Sequence, residues 1–354
     1  MLNGRLANPD TTLGTDPRSD PRMVAALAPF GLDGNTPPPP VTADASLQDR
    51  FAYVAQMEEA FTEVLDALAQ AGPVSEGVTT EAVTITGIDG NDVTLYISRP
   101  AASSASTLPC IVHLHGGGMA FLSAADTGFV RWRDNLAATG LVVVGVEFRN
   151  SAGKLGPHPY PSGANDCATG IRWAAAHLTD LGASHIVVSG ESGGGNLTLA
   201  VAHKAKREGW LGEIAGVYAQ CPYISNRYLE QPDELASLKE NDGYIFNSME
   251  LAISGSVYDP DKQFVGDPAC WAGNATEADL VGMPPHVISV NELDPLRDEG
   301  LTYYRSLIHA GVPTVGRIVA GTCHAGDMLC AGTIPDVYGA SLRDVSGFAK
   351  AVAN

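Results

Sequence analysis

The chain has 354 residues, 45% hydrophobic and 17% charged, which is enough apolar material for a large core and too much for wholesale disorder. Its formal charge of −19 leaves no basic surface to displace phosphate counterions, so a nucleic-acid partner is disfavoured. No apolar run approaches the length of a bilayer span, and the first twenty residues lack the apolar core of a secretory leader. Six thinly spread cysteines with no C-x-x-C pair read as reduced, buried thiols in a soluble, cytoplasmic protein.

Residues 1–45 are rich in Pro, Asp and Gly, include TPPPPV at 36–41, and read as an irregular arm with one short helical piece near MVAALAPFGL. In 46–71, Phe51, Val54, Phe61, Val64, Leu65 and Leu68 recur at helical spacing, and Gly72-Pro73 stops the helix. EAVTITGI and DVTLYIS flank DGND, which reads as two strands and a turn. Apolar strands then alternate with helices. Strands are expected at 110–115, 141–148, 185–190, 214–220, 286–291 and 314–321, and helices near 163–179, 195–208, 297–310 and 335–352. This rhythm implies an α/β fold, a mostly parallel sheet covered on both faces. Residues 222–280 hold no clear strand and read as an inserted helical segment, since a structureless loop of that length is unusual in a compact domain. The expected organisation is an N-terminal arm and helices over 1–79 contributing to a cap, a catalytic domain over 80–221 and 281–354, and a cap insertion over 222–280.

The stretch VVSGESGGGNLTLA at 187–200 sets a strand, a G-E-S-G-G corner and a helix in succession. A turn that sharp has no room for side chains two residues either side of the serine, hence Gly190 and Gly194. It would hold the Ser192 hydroxyl in the open beside a helix N-terminus, where negative charge is favoured. Glu191, inside the corner, is expected to pair with a neighbouring loop, and Asn196 to anchor the first helical turn. About 75 residues earlier, HLHGGGMAF at 113–121 follows another strand. Its glycines allow close backbone approach, and the N–H groups of Gly117 and Gly118, with that of Gly193, would stabilise a tetrahedral oxyanion. Pairing of an HGGG loop with G-x-S-x-G is a known pattern of lipases and esterases.

A serine nucleophile needs a base and an orienting acid, in the chain order Ser, Asp or Glu, His. NELDPLRDEG at 291–300 offers Asp294, with Glu292, Asp298 and Glu299 as competitors, and GTCHAGD at 321–327 offers His324. His309 reads as a helix C-terminal charge partner and Cys323 as a packed thiol. His113 and His115 form H-x-H without evident further ligands, so a structural role is expected and no metal. Met119, Phe121, Tyr160 and Tyr223 are expected walls of an apolar pocket.

HLHGGGMAF, EFRN, HPYPSGANDC, GESGGGN, CPYIS, LKENDGY, VYDP and NELDPLRDEG together resemble the hormone-sensitive-lipase-like branch of the α/β-hydrolases, and within it the brefeldin A esterase-like subgroup. The resemblance covers roughly residues 80–350. It implies an eight-stranded α/β-hydrolase sheet with a helical cap, hydrolysis of carboxylic esters or lactones without a cofactor, catalytic roles for Ser192, Asp294 and His324, and oxyanion roles for Gly117, Gly118 and Gly193. Where many members carry Tyr-Arg-Leu-Ala-Pro-Glu, this chain has FRNSAGKLG at 148–156, which shifts a loop near the pocket. The expected partner is a small-molecule ester, and a homodimer is compatible with the reading. An amidase or formamidase with the same triad, and a non-catalytic small-molecule receptor on the same fold, are the alternatives.

Overall fold

The computed structural model describes residues 4–102 and 107–352. Residues 1–3, 103–106 and 353–354 of the expected segments lie outside the described residues. Among the described residues, eight strands run in chain order as β1 (Val78–Thr86), β2 (Asp92–Pro100), β3 (Leu108–Leu114), β4 (Val142–Glu147), β5 (Ala183–Glu191), β6 (Gly216–Gln220), β7 (His286–Leu293) and β8 (Thr314–Cys323). They form one sheet in the order β1-β2-β4-β3-β5-β6-β7-β8. β1 and β2 make an antiparallel hairpin, β2 is antiparallel to β4, and β3 to β8 are parallel.

Sequence pattern explains the two kinds of strand. In β2, buried Val93, Leu95 and Ile97 alternate with less buried Thr94 and Tyr96, the period-two pattern of a sheet with one covered face. In the centre, Val112, Val144 and Val188 pack to one side with Ile171, Leu197 and Leu307. Their neighbours Ile111, Val143 and Val187 pack to the other with Trp132, Leu136, Tyr338 and Val345. Both faces are therefore covered, and each such aliphatic burial contributes about 1.5–3 kcal/mol.

The longer helices are α1 (Leu47–Ala71), α2 (Thr127–Ala138), α3 (Ser162–Ala176), α4 (Gly193–Glu208), α5 (Ser248–Tyr258), α6 (Arg297–His309) and α7 (Pro335–Ala351). The Ser46 hydroxyl caps α1 by accepting the Asp49 N–H. Asn247 and Glu250 form a capping box at α5. Helix α2 has no counterpart among the expected elements. Its apolar positions Phe129, Trp132 and Leu136 are interrupted by Arg133 and Asn135, which are buried as well. Polar residues on an inward face blur the periodicity that sequence reading relies on.

Among the described residues, 221–285 contains no strand. Helix α5 from this stretch packs against α1. The N-terminal arm is tied to the same stretch: Thr36 N–H donates to Gly243 O at 2.8 Å, the Asn247 amide donates to Pro37 O at 3.0 Å, and Arg18 pairs with Glu240 at 2.7 Å. Among the described residues no helix is long and apolar enough to cross a membrane.

Candidate active site

Strand register decides what meets what. Leu114 of β3 is aligned with Gly190 of β5, so the glycine loop after β3 leaves the sheet beside the serine corner after β5. β4 lies on one side of β3 and β5 on the other, which makes this a point where the chain reverses direction across the sheet, the usual place for a ligand in an open α/β fold. Leu293 of β7 is aligned with Cys323 of β8, so the next residues, Asp294 and His324, emerge side by side.

Ser192 has φ 57° and ψ −120°, a conformation that costs an L-residue on the order of 1–3 kcal/mol. It is held from both ends. Its N–H donates to Gln220 O at 2.9 Å, and its carbonyl accepts from Asn196 N at 3.0 Å and Tyr223 N at 3.1 Å. The glycines around it are steric necessities. A Cβ on Gly190 would lie 2.5 Å from Leu114 O, and one on Gly194 would lie 2.5 Å from His115 O.

The corner and the loop also fit each other closely. A Cβ on Gly193 would sit 2.6 Å from Gly118 N and 2.5 Å from Met119 N. Among the described residues, the N–H groups of Gly117, Gly118 and Gly193 have no protein acceptor. Glu191 braces this junction. Its carboxylate, 3% exposed, accepts the Gly116 N–H at 2.8 Å and His113 Nε2–H at 2.9 Å. His115 Nδ1 bonds Gly116 O at 2.7 Å, and its ring stacks on Phe148 with centroids 4.1 Å apart. Burial pushes the His115 imidazole down to about 3, so it stays neutral at ordinary pH. The two histidines of H-x-H thus serve different partners.

His324 Nδ1 lies 2.8 Å from Asp294 Oδ2. A carboxylate can only accept, so the proton is on Nδ1 and Nε2 is the nitrogen left with a lone pair. Asp294, fully buried, is itself fixed by the Leu296 N–H on Oδ1 at 2.8 Å. The competing carboxylates are engaged elsewhere. Glu292 accepts Gly321 N, Asp298 accepts Ser237 N and pairs with Arg297, and Glu299 accepts the N–H groups of Ile224 and Ser225. His309 sits exposed at the C-terminal end of α6. Burial holds the Cys323 thiol protonated well above its usual range.

Ser192 and His324 line one cleft with Gly116, Gly117 and Gly118. Among the described residues no hydrogen bond joins the hydroxyl to the imidazole. The unfilled space, open mouth included, is about 700 Å³. Its walls are Phe61 and Leu65 of α1, Phe129 of α2, Phe121, Leu122, Tyr223, Ile245 and Phe246, Leu251 of α5, and Leu329. Of the four expected wall residues, Phe121 and Tyr223 line the cleft and Met119 and Tyr160 do not. Met119 is 2% exposed, with its sulfur 3.8 Å from Asn196 Nδ2, and Tyr160 packs edge-on to Tyr258 and Phe264. Asn196 anchors the first turn of α4 from outside the helix. Its side chain bonds Cys270 O at 2.8 Å and Ala272 N at 3.2 Å, and so ties α4 to the 221–285 stretch.

A profile described as the alpha/beta hydrolase fold matches residues 111–327. The chain belongs to the α/β-hydrolase family. It also superposes on brefeldin A esterase, described as a bacterial homologue of human hormone-sensitive lipase, with a TM-score of 0.94 and 42% identity, covering 99% of this chain and 98% of that one. The hormone-sensitive-lipase-like resemblance of the motifs is thereby borne out. Esterase Est22 is similar at 36% identity and a TM-score of 0.85, covering 96% of this chain and 100% of that one. Esterase LipI of Mycobacterium tuberculosis is 31% identical over 218 residues, which span 60% of this chain and 64% of LipI.

Proposed function

We propose that the protein is a serine carboxylesterase that works through an acyl-enzyme on Ser192. The observation that carries this reading is the shared cleft. It holds the serine corner, the free face of an imidazole bonded to a buried carboxylate, and a glycine loop with unpaired amides. The esterase names of the relatives support the same reaction class.

In the proposed cycle, Ser192 Oγ attacks the ester carbonyl carbon while His324 Nε2 takes the hydroxyl proton. Asp294 keeps Nδ1–H in place and stabilises the imidazolium. Charge on the carbonyl oxygen is met by the N–H groups of Gly117, Gly118 and Gly193, each such donor being worth about 2.7–4 kcal/mol. Collapse of the tetrahedral species breaks the carbon–oxygen bond, and His324 returns the proton to the departing alcohol. Water then repeats the sequence on the acyl-enzyme and frees the acid. The walls are mostly apolar, which favours a small ester with an apolar acyl or alcohol group. The arm and α1, with the 222–280 insertion, act as the cap that supplies most of those walls.

The test is turnover of p-nitrophenyl acetate and of p-nitroacetanilide by wild type and Ser192→Ala. Expected are ester hydrolysis by wild type, a loss of at least about 10³-fold in kcat in the variant, and an unchanged melting temperature. Faster turnover of the anilide would indicate an amidase. No hydrolysis of either compound by wild type would indicate a receptor, and near-normal activity of Ser192→Ala would remove that serine from the mechanism.

A further inference from the structure

Beneath the imidazole lies a side chain that ester hydrolysis does not use. Cys221 is the first residue after β6, 1% exposed, and its N–H donates to Ser289 O at 2.7 Å. Its sulfur, a ring nitrogen of His324 and a carboxylate oxygen of Asp294 all lie within 4.8 Å of one another. We propose that Cys221, Asp294 and His324 form a binding site for a soft or borderline divalent cation of the Zn²⁺ or Cd²⁺ type, and that its occupancy switches off the hydrolase.

The donor set is the argument. Thiolate, imidazole and carboxylate are the ligands such cations select, at about 2.3 Å for sulfur and 2.0–2.2 Å for nitrogen and oxygen. Ligand atoms around a tetrahedral ion of that size are roughly 3.2–3.7 Å apart. No pair of these atoms needs to draw in by much more than about 1 Å, and the hydrogen-bonded pair His324 Nδ1 and Asp294 Oδ2, 2.8 Å apart, would part slightly to admit the ion. A fourth position is left for water.

Charge favours the cation as well. The carboxylates of Asp294, Asp327 and Glu191 set the Cys221 sulfur in a negative field. Asp327 is bonded by the Asn291 amide and the Ser341 hydroxyl, and neither it nor Asp294 pairs with Lys or Arg among the described residues. Binding releases the thiol proton to solvent and forms a metal–sulfur bond. One thiolate and one carboxylate then neutralise the two positive charges inside a buried site.

Inhibition follows from the imidazole, and this part rests on His324 being the base of the proposed esterase. If the ion takes Nε2, no lone pair remains for the serine proton. If it takes Nδ1, the ring proton resides on Nε2, with the same result.

The test titrates the full chain with Cd²⁺ in chelator-free buffer. It reads the ultraviolet cadmium–thiolate absorbance, bound metal by equilibrium dialysis, and p-nitrophenyl acetate hydrolysis. Expected for wild type are a single bound ion with a thiolate band and loss of activity in step with it. Cys221→Ala should keep metal-free activity within about twofold, lose the band, and need at least about tenfold more Cd²⁺ for half-inhibition. Cys323→Ala, whose altered thiol adjoins His324 in sequence, should respond as wild type does. Cys221→Ser replaces the alanine variant if the latter folds poorly. A wild type without a thiolate band, or a Cys221 variant inhibited at the wild-type concentration, overturns the site. The band is read without turnover, so failure of this site and failure of the esterase reading are separable.

Discussion

Ser192 and His324 on the floor of the cleft, and Asp294 buried against His324, each stand one residue beyond the end of a strand, and hydrogen-bonded register fixes where those ends lie. On the walls, Phe61, Phe129 and Phe246 come from helices and loops that join the sheet through side chains and packing, not through a strand ladder. Phe61 stacks on Phe246 at 5.0 Å and tilts toward Phe121 at 6.1 Å, with no backbone ladder between them. A ladder admits one arrangement per register, whereas apolar side chains repack at modest cost. The floor should therefore tolerate almost no substitution, and the walls should trade one substrate for another.

The largest expected effect is at Gly194. An added methyl would overlap the carbonyls of Leu114 and His115, which are backbone and cannot rotate away. Gly194→Ala should lower stability by at least about 3 kcal/mol, the upper end of overpacking, or prevent folding. Gly347→Ala in α7, where a Cβ meets nothing within 4 Å, should be neutral or slightly stabilising. Denaturant unfolding of the two variants checks the contrast, and equal stabilities would refute the steric account of the corner.

Glu191 comes next, because it joins the corner to the glycine loop. Glu191→Ala strands the Gly116 N–H and a buried His113 ring, and a displacement of about 1 Å in the loop is enough to cost about 10²-fold in kcat. Glu191→Gln keeps an acceptor for Gly116 and should lose less. If both variants turn over ester at the wild-type rate, the brace is irrelevant to the floor.

What the sequence revealed follows the same division. The eight strands, the serine corner and the glycine loop were legible because alternation and glycine sterics act over a few residues. Asp294 was favoured, but Glu292, Asp298 and Glu299 stayed as competitors, since what distinguishes them is a bond to His324 thirty positions away. Helix α2 was hidden by buried Arg133 and Asn135, and Phe129 with it. Met119, between glycine loop and wall in sequence, turned into the core because Asn196 and the sheet close over it. Long-range packing decided each of these, and no local pattern encodes it.

A wall variant should sharpen the comparison from the other side. Phe61→Ala opens the cleft where α1 faces Phe246. For a long-chain p-nitrophenyl ester, kcat/KM should fall by about tenfold, through KM, while the acetate is hydrolysed as before. An equal fall for both esters would mean that the walls, like the floor, hold the catalytic groups.

The smallest effect belongs to a carboxyl between the two regions. Glu299, on α6, is fully buried and receives the N–H groups of Ile224 and Ser225, next to the wall residue Tyr223. Burial raises its pKa to about 8 from an ordinary 4.5, against the lowering effect of those bonds. Between these two values the folded chain holds a proton that the unfolded chain has released. Its contribution to stability is therefore complete below about pH 4.5, falls as pH rises, and levels off above about pH 8. The slope cannot exceed about 1.4 kcal/mol per pH unit for one proton. Glu299→Gln leaves an amide N–H facing the Ser225 N–H, so the variant should be less stable throughout. Its melting temperature should nevertheless decline less steeply than that of wild type from pH 5 to 8. Parallel curves for the two proteins would mean that the carboxyl is ionised in the folded state, and that two backbone donors outweigh its burial.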